Sequence, residues 1–87
     1  IVCGSGGESV AAVVAAGCQT LVTGELKLHN ALEAVAEGLA VIAVGHHASE
    51  RFAMDVLADQ IAARLPALLC WASRTETEPL VWHPAAR

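Results

Sequence analysis

Tyrosine is absent from this sequence, aromatic residues are scarce, and charged residues are fewer than usual. Phenylalanine occurs once and tryptophan twice. Charged residues make up 16% of the 87 positions, against about 25% in a typical globular domain. Hydrophobic residues make up 55% of the chain. Intrinsic disorder is excluded, because a disordered segment combines low hydrophobicity with high charge.

A basic surface is also missing. The five lysines and arginines are not clustered, and the net charge is −4. Binding to nucleic acid or to an anionic membrane surface needs a patch of positive charge, so we expect neither partner. No apolar run reaches the roughly 18 residues that a transmembrane helix requires, so we expect no membrane span.

The three cysteines, Cys3, Cys18 and Cys70, are odd in number and form no Cys-x-x-Cys motif. Free structural thiols in a reducing compartment are the favoured interpretation, which indicates a cytoplasmic protein. The chain is also unusually apolar for a domain of its size, which leaves roughly 35–40% of its unfolded surface exposed. We therefore expect that further protein covers its apolar faces, and that the true N-terminus, with any targeting signal, precedes Ile1.

Three apolar runs, each followed by a glycine, predict three β-strands that alternate with helices. The runs are Ile1–Cys3, Thr20–Thr23 and Leu39–Val44. The helices are expected from about Gly6 to Ala16, from Glu25 or Leu26 to Glu37, and from about Ala48 to Leu65. Ser5 and Glu8 have the spacing of a capping box for the first helix. The third helix has an apolar face, which consists of Phe52, Val56, Leu57, Ile61 and Leu65.

Continuously apolar strands that alternate with helices predict an α/β fold, a three-layer α/β/α unit with a mostly parallel sheet. A fourth strand is predicted at Ala67–Ala72, and a last short extended segment at Pro79–Trp82. We see no linker or composition change, so we expect residues 1–87 to form one portion of a larger α/β domain without an internal boundary.

Polar residues are concentrated where each predicted strand ends. The three junctions, Gly4–Glu8, Gly24–His29 and Gly45–Glu50, hold three of the four histidines. Because ligands bind beyond the carboxyl ends of strands in an open parallel sheet, this edge is the expected functional site. Glu25, His29, His46 and Glu50 should lie there together.

The third junction carries the sharpest pattern. His46 and Glu50 are four residues apart, which places an imidazole and a carboxylate on the same side of a helix. Two interpretations stand on spacing alone. The pair is either a surface hydrogen bond, or two ligands of one divalent cation such as Zn, Mn or Fe.

The other two junctions are less specific. Glu25 and His29 repeat the four-residue spacing, but an acidic residue in the first turn of a helix is also favoured by the helix dipole. Gly4-Ser5-Gly6-Gly7 resembles a phosphate-binding turn but lacks the third glycine of the dinucleotide motif and has no Gly-Lys-Ser/Thr. A tight turn that lets the backbone pass close to something at this edge is the favoured interpretation.

Together these motifs resemble the C-terminal part of the Nif-three-like family, whose bacterial members often carry the label GTP cyclohydrolase I type 2 homologue. The matching segments cover nearly the whole chain in order, and they are Cys3–Gly7, Thr23–Lys27 with His29, Gly45–His46, Ala48–Arg51 and Glu78–Leu80.

The resemblance implies two divalent metal ions, of zinc, manganese or iron, in a cleft of the full-length protein. His46 and Glu50 match the metal ligands of the family's Gly-His-x-x-x-Glu motif. A missing N-terminal half would supply two adjacent histidines and an aspartate as the other ligands. Glu25 and His29 would line the same cleft and are the candidates for catalysis, by proton transfer or substrate orientation.

The resemblance also implies a homo-oligomer and a function, a metal-dependent hydrolase similar to a type 2 GTP cyclohydrolase. Two close metal ions suit hydrolysis, because they activate water and stabilise the oxyanion that forms. The alternative is a metal-containing binding or regulatory interaction protein without catalysis.

Overall fold

In the computed structural model, which describes residues 1–86, three strands alternate with helices. The strands pair in parallel in the order β1-β2-β3, so the predicted α/β fold with a parallel sheet is confirmed. The strands are β1 (Val2–Ser5), β2 (Thr20–Glu25) and β3 (Ala40–Ala43). A short 3-10 helix covers Gly7–Ser9, and the α-helices are α1 (Val10–Ala15), α2 (Leu28–Ala36) and α3 (His46–Arg64).

The chain divides into two compact units, Ile1–Ala53 and Met54–Arg87. The first unit contains the whole sheet, α1, α2 and residues 46–53 of α3. The second unit contains residues 54–64 of α3 and the segment that follows. No helix within residues 1–86 has the length and apolar character needed to cross a bilayer.

The hydrophobic core of the first unit forms around the central strand β2. Leu21 of β2 packs with Val10 from α1, Ala34 from α2 and Leu39, which precedes β3, and all four are buried. Full burial of a leucine or valine side chain stabilises a fold by about 1.5–3 kcal/mol. This core holds the sheet in place, and the sheet in turn sets the positions of the three junctions.

The register of the sheet changes only on the side of β1. β2 and β3 pair without interruption from Thr20 opposite Ala40 to Thr23 opposite Ala43. The β1–β2 register shifts between Val2 and Ser5. Gly4 lies within this shift at a φ of +66°, a conformation that only glycine adopts readily. The bend brings Ser5 opposite Glu25, the last residue of β2.

One predicted helix cap and one predicted helix start are wrong, for a shared reason. The first helical turn begins at Gly7 after Gly6 as its N-cap, and no side chain caps it. Ser5 stays in β1, so the predicted capping box does not form. Likewise β2 continues through Glu25, and α2 begins only at Leu28. In both places pairing between strands prevails over the local preference for a helix.

The third helix begins earlier than predicted, at His46. The Ser49 amide donates to the Gly45 carbonyl at 3.1 Å, which closes the first turn immediately after β3. Its predicted apolar face is not buried within this chain. Phe52, Val56 and Leu57 are 48–59% exposed.

The predicted fourth strand is also wrong, since residues 67–72 form no strand. A strand needs a partner for its backbone groups, and the described part of the chain offers none there. Instead the Leu68 amide donates to the Leu65 carbonyl at 2.9 Å, and the chain turns directly after α3. Cys3, Cys18 and Cys70 are free cysteines in the structure.

Candidate functional site

A histidine lies between two carboxylates at the carboxyl end of the sheet. His46 Nδ1 is 2.7 Å from Glu25 Oε1, and His46 Nε2 is 3.3 Å from Glu50 Oε2. The side chains of all three are about half exposed, at 47–53%. The structure thus brings together three of the four residues that the sequence placed at this edge.

His46 lies beside Glu25 because the backbone hydrogen bonds between β2 and β3 continue past the end of β3. The Val44 amide donates to the Thr23 carbonyl at 2.9 Å, and the Gly45 amide donates to the Gly24 carbonyl at 2.8 Å. Gly45 then takes a φ of +97° and turns the chain into α3. His46 therefore begins its helix beside the residue that ends β2, and Glu50 follows one helical turn later.

The two carboxylates act on the protonation of His46. The hydrogen bond that His46 donates to Glu25 raises the pKa of His46 above its ordinary value near 6.5, and the charge of Glu50 raises it further. In the neutral ring, an Nδ1–H that donates to Glu25 leaves the lone pair of Nε2 on the side of Glu50. A cation bound on that side would therefore compete with a proton for the same nitrogen.

The separation of the donor atoms fits chelation of one ion. Zinc–nitrogen and zinc–oxygen bonds of about 2.0–2.2 Å, at a tetrahedral angle, place two ligand atoms about 3.4 Å apart. The observed distance from His46 Nε2 to Glu50 Oε2 is 3.3 Å. Glu25 supplies the usual second element of such a site, since a metal-binding histidine commonly donates its other N–H to a carboxylate.

Gly4 keeps the space beside this pair open. A Cβ added to Gly4 would overlap Glu50 Oε1 and lie 3.3 Å from His46 Nε2. The sequence signal for this role is the glycine-rich turn, which predicts a close backbone approach but does not identify what it approaches. The structure identifies the target as the His46–Glu50 pair.

The site is nevertheless incomplete as a metal centre. Among residues 1–86, no three or more histidine, cysteine, aspartate and glutamate side chains are grouped so that they could hold a metal ion. Catalytic zinc sites use about three protein ligands. The described residues therefore fit a part of a metal site, with two donor side chains and one orienting carboxylate.

His29 is the fourth residue predicted at this edge. It lines a polar cavity of about 270 Å³ between the turn after β1 and the start of α2, and within residues 1–86 no hydrogen bond or ion pair links it to His46 or Glu50. Ser5, which contributes to the cavity wall, pairs in the sheet with Glu25. The cavity is therefore next to the site through the β1–β2 pairing. Its lining consists of Ser5, Gly7, Glu8, Lys27, His29 and Asn30.

Comparison with known proteins decides the family. A family model described as Duf34/NIF3 (NGG1p interacting factor 3) matches residues 1–79. This chain belongs to the Duf34/NIF3 family. The family resemblance seen in the sequence motifs is therefore confirmed. Among curated proteins, nothing matched.

A solved structure supports the fold of this family member. The crystal structure of a Bacillus cereus protein related to NIF3 is similar, with a TM-score of 0.86 and 24% sequence identity. The match covers 94% of this chain and 24% of the other, so this chain spans about a quarter of that relative's length. At this identity the similarity shows the shared fold.

Proposed function

We propose that this chain contributes His46 and Glu50 to a divalent-metal site, and that the site serves metal-dependent hydrolysis in the whole protein. The observation that carries the proposal is the 3.3 Å separation of His46 Nε2 and Glu50 Oε2, with Glu25 on the opposite ring nitrogen. Nitrogen and carboxylate donors favour zinc, manganese or iron.

A divalent metal, when bound, supplies a Lewis acid for hydrolysis. The residues of this chain would hold the metal ion and orient its ligands. Glu25 accepts the Nδ1–H of His46, which sets the ring orientation and makes Nε2 a stronger donor. Because its carboxylate is engaged in this way, we assign Glu25 to orientation and leave proton transfer to His29. His29 faces the polar cavity, which is the proposed position of the substrate.

The remaining ligands, and a second metal ion, would come from outside this chain. Two protein ligands offset the cost of dehydrating a divalent ion less well than three or more. The chain alone should therefore bind Zn²⁺ or Mn²⁺ weakly, and the whole protein should bind them tightly. This part of the proposal agrees with the chain's span of about a quarter of its structural relative.

Titration calorimetry with Zn²⁺ and Mn²⁺ tests the metal site. His46→Ala and Glu50→Gln in the whole protein should each weaken binding by at least about tenfold, because each removes a direct ligand. His83→Ala and Glu37→Gln are the matched controls and should bind normally, since both residues are exposed and lie outside the cluster. Tight binding that survives His46→Ala would place the metal elsewhere.

Turnover of a panel of phosphoesters and purine nucleotides by the whole protein tests the reaction. Glu50→Ala should abolish any turnover that depends on the metal. The comparison with Glu37→Gln separates this effect from a general loss of carboxylates.

A binding or regulatory interaction protein is the second candidate. Leu28, Leu32 and Val35 lie along one face of α2 and are 60–76% exposed, and the family description contains the words interacting factor. An apolar face of this kind suits a protein partner or a second copy of the chain. Metal binding without turnover of any panel substrate, together with self-association in gel filtration, would favour this candidate.

A further inference from the structure

Ser49 is a buried polar residue between the two proposed metal ligands. Its side chain is 8% exposed. Its hydroxyl accepts a hydrogen bond from the Gly4 amide and donates one to the His46 carbonyl, both at 2.8 Å. One hydroxyl therefore joins the end of β1 to the first turn of α3.

A second buried hydroxyl completes the attachment of Gly4. Thr23 is 1% exposed, and its Oγ1 donates to the Gly4 carbonyl at 3.3 Å. The amide of Gly4 is thus held by Ser49 and its carbonyl by Thr23. Side chains from α3 and β2 satisfy both backbone groups at the point where the β1 register shifts.

Gly24 makes this close packing feasible. A Cβ at Gly24 would lie 2.5 Å from both the Gly4 carbonyl oxygen and Ser49 Oγ. Any side chain there would push Gly4 and Ser49 away from β2. The position of Gly4 is therefore determined by its contacts with Ser49, Thr23 and Gly24.

The position of Gly4 matters because Gly4 has no side chain and so leaves open the space beside Glu50 and His46 Nε2. We propose that Ser49 is a positioning residue for the metal site. Its hydroxyl holds Gly4 beside the His46–Glu50 pair and donates a hydrogen bond to the His46 carbonyl. Both ligand side chains therefore stay oriented towards the same space. This inference rests on the proposed function, since it concerns the same two ligands.

Zn²⁺ affinity and amide exchange in the whole protein test this role. Ser49→Ala should weaken Zn²⁺ binding about 10–100-fold, the usual effect of losing a residue that supports a metal ligand. In the metal-free protein, the same variant should remove the protection of the Gly4 amide against hydrogen exchange. Ser49→Thr, which keeps the hydroxyl, should restore much of the affinity. Ser49→Cys has a similar shape and makes weaker hydrogen bonds, so its Zn²⁺ affinity should lie between those of Ser49→Ala and Ser49→Thr.

Val10→Ala is the control for a general loss of stability. Val10 is fully buried in the core, so its truncation destabilises the fold without touching the site. It should leave Zn²⁺ affinity and Gly4 protection unchanged. If Ser49→Ala affects affinity no more than Val10→Ala, or if Gly4 stays protected, the positioning role is wrong. Wild-type protein that binds no metal would instead remove the proposed function together with this role.

Discussion

The unit Ile1–Ala53 contains a buried apolar core, whereas the unit Met54–Arg87 leaves most of its large apolar side chains exposed. In the first unit Val10, Leu21 and Leu39 are at most 5% exposed. In the second, Leu69 and Trp82 are 87% and 84% exposed. Both segments are rich in apolar residues, so hydrophobicity alone does not decide burial.

The difference lies in the backbone. Strands of the first unit satisfy one another's amides and carbonyls in a sheet, and Val10 of α1 and Ala34 of α2 can then pack on it. Residues 65–86 form no strand or helix. A segment whose backbone must keep its hydrogen bonds to water remains on the surface, whatever its side chains.

Truncating one leucine in each unit should show this contrast most strongly. Leu21→Ala removes a side chain that is 1% exposed and should lower the free energy of unfolding by about 2–5 kcal/mol. Leu69→Ala removes one that is 87% exposed and should change it by less than about 0.5 kcal/mol. Urea denaturation measures both. Equal losses would mean that Leu69 is buried and that the contrast between the units is wrong.

A pair of glycine variants sharpens the comparison within the first unit. Gly4 and Gly17 both have positive φ, at +66° and +72°, but a Cβ at Gly17 meets nothing within 4 Å. Gly4→Ala and Gly17→Ala should each cost about 1–2 kcal/mol of stability from the left-handed backbone. Only Gly4→Ala should also abolish Zn²⁺ binding, because its Cβ would displace Glu50. Loss of metal affinity in both variants would point to a global effect.

The smallest expected effect is on the titration of His46. Glu25→Gln removes the main cause of the raised pKa, so the His46 pKa should fall towards 6.5. Histidine resonances followed by NMR through a pH titration of metal-free protein measure this. An unchanged His46 pKa in Glu25→Gln would show that Glu50 alone is responsible.

The sign of the linked stability follows from the raised pKa. A histidine that holds its proton more tightly in the folded state stabilises the metal-free fold below its unfolded pKa near 6.5. That contribution is lost as the pH rises through the higher folded pKa. Metal binding has the opposite dependence and weakens as the pH falls, because the proton occupies Nε2.

Local patterns predicted the features that depend on neighbours in the chain. The three apolar runs correspond to the three strands, and the four-residue spacing of His46 and Glu50 produces a contact at 3.3 Å. The predictions failed where a segment could either pair or not pair with another part of the chain. The patterns predict a helix cap at Ser5 and a helix start near Glu25, but both are strand residues, and residues 67–72 have no strand partner.

The sequence by itself determined the α/β alternation, the family and the place of the polar junctions, because each is written in residues close together along the chain. Only the tertiary structure decided that Glu25 reaches His46 across 21 positions and that Ser49 reaches Gly4 across 45. Such contacts depend on strand register and on the positive φ angles of Gly4 and Gly45, which set the direction of the chain after β1 and β3. Both result from packing the whole sheet, which no short motif specifies.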